Sequence, residues 1–152
     1  MEKTLNKRDL FWIFIRSNFL LGSFNFERMQ AMGFCVALMP ALKKLYQGDE
    51  LKAALKRHLE FFNTQPFVAA SIMGIIAAME EKRANGADIS PQTLSGVKVG
   101  LIGPLAGVGD PIFWGTLRPV LAALGAGIAL TGSIIGPIIF FVAFNALRLL
   151  TH

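Results

Sequence analysis

The chain is short of charge. Of its 152 residues, 16% are Asp, Glu, Lys or Arg and 53% are hydrophobic, whereas a soluble domain of this size covers itself with more charge. The shortage is uneven. From Val99 onward only Asp110, Arg118 and Arg148 are charged, and Pro119 to Leu147 is a run of 29 residues with no charge. Cysteine is nearly absent too. Cys35 stands alone, which excludes an internal disulfide and a paired-cysteine zinc site. Within AMGFCVALMPAL it reads as a small packed hydrophobe. Two histidines, one of them terminal, leave no credible Ser/His/Asp or Cys/His arrangement. Gly103 to Gly109 supplies glycines but no following Lys, so there is no P-loop. No acidic residue follows Asp110, so the dinucleotide fingerprint fails as well. No signal peptide is visible: the start is mixed in charge, and the apolar stretch behind it contains Arg16.

What is present is membrane material. A bilayer core of roughly 30 Å takes about 20 apolar residues of helix, and the last third of the chain has them. The net charge of +5 follows the positive-inside pattern better than a nucleic-acid surface. Lys43, Lys44, Lys52, Lys56 and Arg57, then Lys82, Arg83 and Lys98, flank apolar segments and are diluted by acids. Length alone favours a single domain.

Leu10 to Leu21 is too short to span. It reads as an interfacial helix with Phe11, Trp12, Phe14, Ile15 and Phe19 at the acyl boundary, or alternatively as a buried packing helix. The polar cluster Asn25, Glu27, Arg28 and Gln30 follows. Met29 to Leu42 then gives 14 uncharged residues around Pro40, a re-entrant length. Leu51, Leu55, Leu59 and Phe62 mark an amphipathic helix over residues 48–62, with His58 beside the stripe as a packed or hydrogen-bonded residue. Pro66 suits a first helical turn, which leaves Asn63-Thr64-Gln65 as exposed irregular backbone. Glu80 to Lys98 reads as an aqueous connector with turns at Asn85-Gly86 and Ser90-Pro91. Both short apolar segments are followed by basic loops, which places 43–60 and 80–98 on one, cytoplasmic side, with helical hairpins between them.

Gly96/Gly100, Gly103/Gly107 and Gly132/Gly136 are spaced for close helix packing, or are chance in a glycine-rich stretch. Residues 119–130 and 133–150 form either one broken crossing or a tight hairpin. In GPLAGVGDPIFWGTLRP, Asp110 reads as an N-cap and Pro111 as the first residue of a helix that starts after a glycine loop at membrane depth. Such chain breaks build transporter sites. Asp110 simply caps, or, compatibly with capping, pairs with Arg118 or Arg28 or accepts hydrogen bonds from a polyhydroxylated solute beside Trp114. The fold class expected is an all-α integral membrane protein with interfacial helices, re-entrant helical hairpins and broken transmembrane helices.

NFERMQAMGF (25–34), RHLEFFNTQPF (57–67), EEKRANGA (80–87) and GLIGPLAGVGDPIFWGTLRP (100–119) closely resemble the IID component of the mannose/fructose/sorbose class of sugar phosphotransferase systems. The motifs are in order and cover the chain from Arg16 onward. The resemblance implies a multi-pass subunit of the bacterial cytoplasmic membrane. It pairs with a IIC subunit in a hetero-oligomer to carry a hexose that a cytoplasmic IIAB protein phosphorylates, and it has no catalytic residue, metal or cofactor of its own. It also implies one membrane-embedded domain over 1–152 that lacks the family's C-terminal part. Glu27, Arg28, Asn63, Gln65 and Asp110 are the candidate lining of the sugar pathway or of its border with IIC. Each is polar, beside an expected chain break and enclosed by apolar sequence. The alternative is a scaffold that holds IIC and docks IIB through Lys43-Lys44 and Lys52 to Arg57.

Overall fold

The computed structural model describes residues 4–151, so His152 and the first three residues lie outside the described part. Among the described residues there are seven α-helices and a π-helical turn, with no strand beyond isolated bridges. They are α1 (Lys7–Ser17), α2 (Ala31–Leu45), α3 (Gly48–His58), α4 (Ala69–Ala84), α5 (Pro91–Ile112), α6 (Arg118–Ala129) and α7 (Ile135–Thr151). The π-helical turn, Phe113–Leu117, joins α5 to α6.

The first four helices form the buried core. Asn6 and Asp9 start α1 with a reciprocal capping box, each side chain accepting from the other's backbone N–H. The helix buries Ile13 and Ser17 and leaves Phe11 and Trp12 about half exposed. The packing reading holds for the Ile13–Ser17 face, and Phe11 and Trp12 lie on the open face. Gly33 makes the packing possible, because a Cβ there would sit 2.1 Å from the Leu20 carbonyl oxygen. Arg16 is not a stray charge. Pro40 has no N–H for the Val36 carbonyl four residues back, and the Arg16 guanidinium donates to that oxygen at 3.2 Å.

Core helix α2 has 15 residues, about 22 Å at 1.5 Å per residue, and packs on α1, α3 and α4. The amphipathic α3 ends at His58, not Phe62. Phe62 reaches the core through a bridge to Met29 and is fully buried. Pro66 lies in a turn ahead of α4, whose first residue is Ala69.

Two segments differ from expectation in burial. Glu80 to Lys98 is exposed over 85–88 and 91–93, as a connector is, but only residues 85–90 are non-helical, and its ends are anchored: Glu80 and Lys98 are 0% and 1% exposed. Thr64 and Gln65 are buried, and only Asn63 of that irregular triplet is exposed.

The largest correction concerns Asp110. The glycine stretch is no loop, and no helix starts at Pro111. One uninterrupted helical run of 39 residues, Pro91–Ala129, passes through Gly103, Pro104, Gly107, Gly109, Asp110 and Pro111. It is about 58 Å long and is the one described helix long and apolar enough to cross a membrane. A glycine inside a helix costs about 1 kcal/mol. An unpaired backbone group away from water costs more, so in apolar sequence the helix persists. The irregularity appears one turn later, where the Arg118 N–H bonds the Phe113 carbonyl in the i→i−5 pattern and the Thr116 hydroxyl donates to the Pro111 carbonyl at 3.0 Å.

α6 and α7 form a tight hairpin, turned at Gly132 with φ 83°. Their close contact is Gly125 against Gly136: a Cβ on Gly136 would meet the Gly125 carbonyl oxygen at 2.2 Å. The spacings 96/100 and 103/107 meet nothing in this chain within 4 Å.

Candidate functional site

The segments 28–30 and 62–64 run side by side. The Phe62 N–H donates to the Arg28 carbonyl at 3.4 Å and the Gln30 N–H to the Phe62 carbonyl at 2.8 Å. Met29, at the centre of this pairing, takes a left-handed φ of 55°, an uncommon conformation for a residue with a side chain. The Gln30 amide then grips the backbone of Thr64 on both sides, at 2.8 and 3.1 Å. On its far side the Thr64 hydroxyl donates to the Ile102 carbonyl of α5 at 3.0 Å. The loop is thereby fastened between α2 and the long helix.

A cavity of about 310 Å³ lies at this junction. Gln30, Asn63, Thr64, Asp110 and Trp114 line it, with Leu21, Pro66 and Ala106 as apolar wall. So two of the five expected site residues, Asn63 and Asp110, share one cavity although 47 positions separate them (110 − 63). Gln65 lies behind the wall. It is fully buried, its side-chain oxygen accepts from the Phe67 and Val68 N–H groups, and its Nε2 has no partner. Its Cβ and Cγ lie over Gly109, where an added Cβ would come within 2.8 Å of both.

Glu27 and Arg28 are elsewhere. They pair with each other at 3.2 Å on the surface, with side chains 79% and 52% exposed. Arg28 lines a separate cavity of about 490 Å³ with Lys56, Arg57 and Glu60. Asp110 pairs with neither Arg28 nor Arg118: it forms no ion pair among the described residues, and it is not an N-cap. The Arg118 guanidinium lies over the Trp114 ring instead, 5.1 Å from its centroid, with Phe67 at 5.6 Å from the same ring. Trp114 is therefore already engaged by Arg118 and Phe67 where it lines the cavity.

Gln30 and Thr64 are the lining residues that sequence reasoning missed. Gln30 belonged to a noted polar cluster, but nothing local points a glutamine at a threonine 34 residues away.

A second polar centre was also missed. Oε1 of Glu80 accepts from Arg57 Nε and Nη2, at 3.0 and 2.8 Å, and from His58 Nε2 at 2.8 Å. Oε2 accepts from the Tyr46 hydroxyl at 2.6 Å. Burial alone raises the Glu80 carboxyl, but the bonds from His58, Tyr46 and Arg57 outweigh it and hold the group down at about 2. For His58, burial outweighs the carboxylate beside it and lowers the imidazole below its usual value. The pair is thus a neutral imidazole donating to an ionised carboxylate. Lys98 completes the cluster, donating to the Arg57 carbonyl at 3.3 Å and lying 3.7 Å from Glu60. A sequence signal existed for Glu80. Ala69, Ile72, Met73, Ile76 and Ala77 form the buried stripe of α4, and position 80 continues it.

Among the described residues no group of acids, histidines or cysteines is placed to hold a metal ion. The arrangement at Asn63 and Asp110 is a small recess against the long helix, a mostly apolar wall carrying a few hydrogen-bonding groups.

Residues 4–152 match the family model described as the PTS system mannose/fructose/sorbose family IID component. The chain is 60% identical over 153 residues to the mannose-specific EIID component of Escherichia coli K12, an alignment covering 99% of this chain and 54% of that protein. It is 62% identical to the fructose permease IID component of Bacillus subtilis, covering 99% and 55%. A solved structure of the mannose transporter ManYZ in complex with microcin E492 superposes with a TM-score of 0.96 at 60% identity, over 99% of this chain and 56% of that one. The chain thus spans about half the length of the curated relatives it matches.

Proposed function

The chain belongs to the mannose/fructose/sorbose family of phosphotransferase-system IID components, and on that premise we propose that it is a membrane subunit of a hexose permease. In this reading it sits in the bacterial cytoplasmic membrane and crosses it more than once. It assembles with a IIC subunit, and the sugar that the pair carries is phosphorylated by cytoplasmic IIAB. The chain supplies binding groups and shape, not a phosphoacceptor: its described histidine, His58, is buried and bonded to Glu80.

One observation carries the sugar-binding part. Asn63 and Asp110, from distant segments, line one recess beside the spanning helix. An amide and a carboxylate offer fixed donors and acceptors that replace the water around sugar hydroxyls. Hexose binding to the purified IIC/IID pair tests it by calorimetry. Asn63→Ala and Asp110→Asn should each weaken affinity about tenfold, the worth of one well-made hydrogen bond to a buried or charged group. Unchanged affinity in both removes the recess from the sugar path.

A second reading, a scaffold that docks IIB without touching sugar, is favoured by the basic cavity of Arg28, Lys56 and Arg57. Arg57 is a poor probe of it, because its side chain is only 9% exposed and holds Glu80. Charge reversal at the neighbouring Lys56 should lower phosphorylation of the sugar and leave sugar binding intact if this surface docks IIB.

A further inference from the structure

Gln30 is the residue just before α2, yet its side chain caps nothing in its own helix. It turns outward to Thr64. Nε2 donates to the Thr64 carbonyl at 2.8 Å and Oε1 accepts from the Thr64 N–H at 3.1 Å, and both bonds are buried. The backbone rungs between 28–30 and 62 end at this point, because the chain turns into a helix at Ala31. The amide of Gln30 supplies the next two rungs in their place.

The consequence falls on Asn63. Side chains alternate along extended backbone. Phe62 and Thr64 are buried and anchored, the latter also by its hydroxyl on Ile102. Asn63 between them is exposed and lines the cavity with Asp110. Gly109 governs the approach from the other side. The loop lies on α5 because the residue preceding Asp110 has no Cβ to meet Gln65 at 2.8 Å.

We infer that Gln30 is a positioning residue of the hexose site: by clamping both backbone groups of Thr64 it fixes Asn63 against Asp110, at a separation set by Gly109. This rests on the hexose reading of the cavity. Without the amide, a buried N–H and a buried C=O at Thr64 lose their partners. The loop shifts to satisfy them, and a binding group displaced by even half an ångström no longer meets its ligand well.

The experiment is a double-mutant cycle on the full IIC/IID complex, with hexose Kd read by calorimetry and the unfolding midpoint read alongside. Gln30→Met keeps the shape and removes both hydrogen bonds. Gly109→Ala presses on the loop from the opposite side and serves if the methionine variant fails to assemble. Each is expected to weaken hexose binding at least fivefold in the wild-type background. In the Asn63→Ala background each is expected to change Kd less than twofold, because the group it positions is gone. A lowered midpoint with unchanged Kd, or an equal loss of affinity with and without Asn63, overturns the inference. If Asn63→Ala itself leaves Kd unchanged, the hexose reading fails and this inference falls with it. If Asn63→Ala weakens binding while Gln30→Met and Gly109→Ala do not, only the positioning role is lost.

Discussion

Glu80 shows how much one side chain can hold. Its carboxylate receives Arg57 and His58 from α3 and the Tyr46 hydroxyl from the end of α2. Removing one partner of a buried pair leaves the other charged, buried and uncompensated. Glu80→Ala is therefore expected to destabilise the protein by about 3–5 kcal/mol, read as a fall in the unfolding midpoint of the purified complex. The same centre sets a pH dependence. His58 is held below its usual value of 6.5, so as pH falls through that value the unfolded chain takes up a proton that the folded one refuses. Glu80 is held at about 2 against 4.5, so from 4.5 down to about 2 the unfolded carboxyl protonates first. Both effects have one sign: stability is full above pH 6.5 and is lost progressively on acidification. His58→Gln, which does not titrate, should flatten the loss between pH 6.5 and 4.5 and keep a loss below 4.5, since Tyr46 and Arg57 still hold Glu80 down. A midpoint-versus-pH series on the two proteins checks this. The α4 stripe makes Glu80's burial readable. Its partners are not readable, because the sequence places them 22 to 34 residues away with no mark of pairing.

At the scale of elements, glycines of identical chemistry do opposite things. Gly136 lets α7 lie on α6, and a methyl there would sit 2.2 Å from a carbonyl oxygen. Gly136→Ala should force the hairpin apart and cost several times the roughly 1 kcal/mol that alanine recovers in helix propensity. Gly103→Ala meets nothing within 4 Å, so in this chain it should recover that ~1 kcal/mol. Unfolding of the two variants side by side in detergent gives the contrast. Spacing of small residues marked Gly132/Gly136 and missed Gly125, because close approach needs two backbones to meet and one sequence describes only one of them. The Pro111 region teaches the same lesson about breaks. Asp-Pro after glycines reads as a helix start by local preference. In an apolar run, however, the backbone stays helical through Asp110 and Pro111, and the irregularity is a π-helical turn at Phe113–Leu117, just after them.

For the whole molecule, the decisive feature is the helical run Pro91–Ala129, which at about 58 Å is longer than a bilayer core is thick. Its first turns, with Lys98 drawn into the α3–α4 charge cluster, belong to the packed polar half. The remainder is apolar and mostly uncovered. This predicts opposite sidedness for its two ends. Cys35 is the sole cysteine, so Cys35→Ser is a clean background. In it, a membrane-impermeant thiol reagent should label Ser95→Cys only from the cytoplasmic side and Thr131→Cys only from the other. Labelling of both from one side would mean that the run does not cross.

Sequence alone settled what depends on local sums. An uncharged run is apolar whatever it packs against, so membrane-type composition, a basic flank and the family motifs were all legible, as were Asn63 and Asp110 as polar groups in apolar surroundings; the long helix Pro91–Ala129 was not, because its glycines and prolines read locally as breaks. The tertiary structure decided what depends on distance through space. It put Glu27 and Arg28 on the surface, sank Glu80, folded α7 back on α6, and turned Gln30 toward Thr64 to hold Asn63 beside Asp110. Hydropathy adds along the chain, whereas a hydrogen bond between residues 30 and 64 exists only after the helices that carry them have packed.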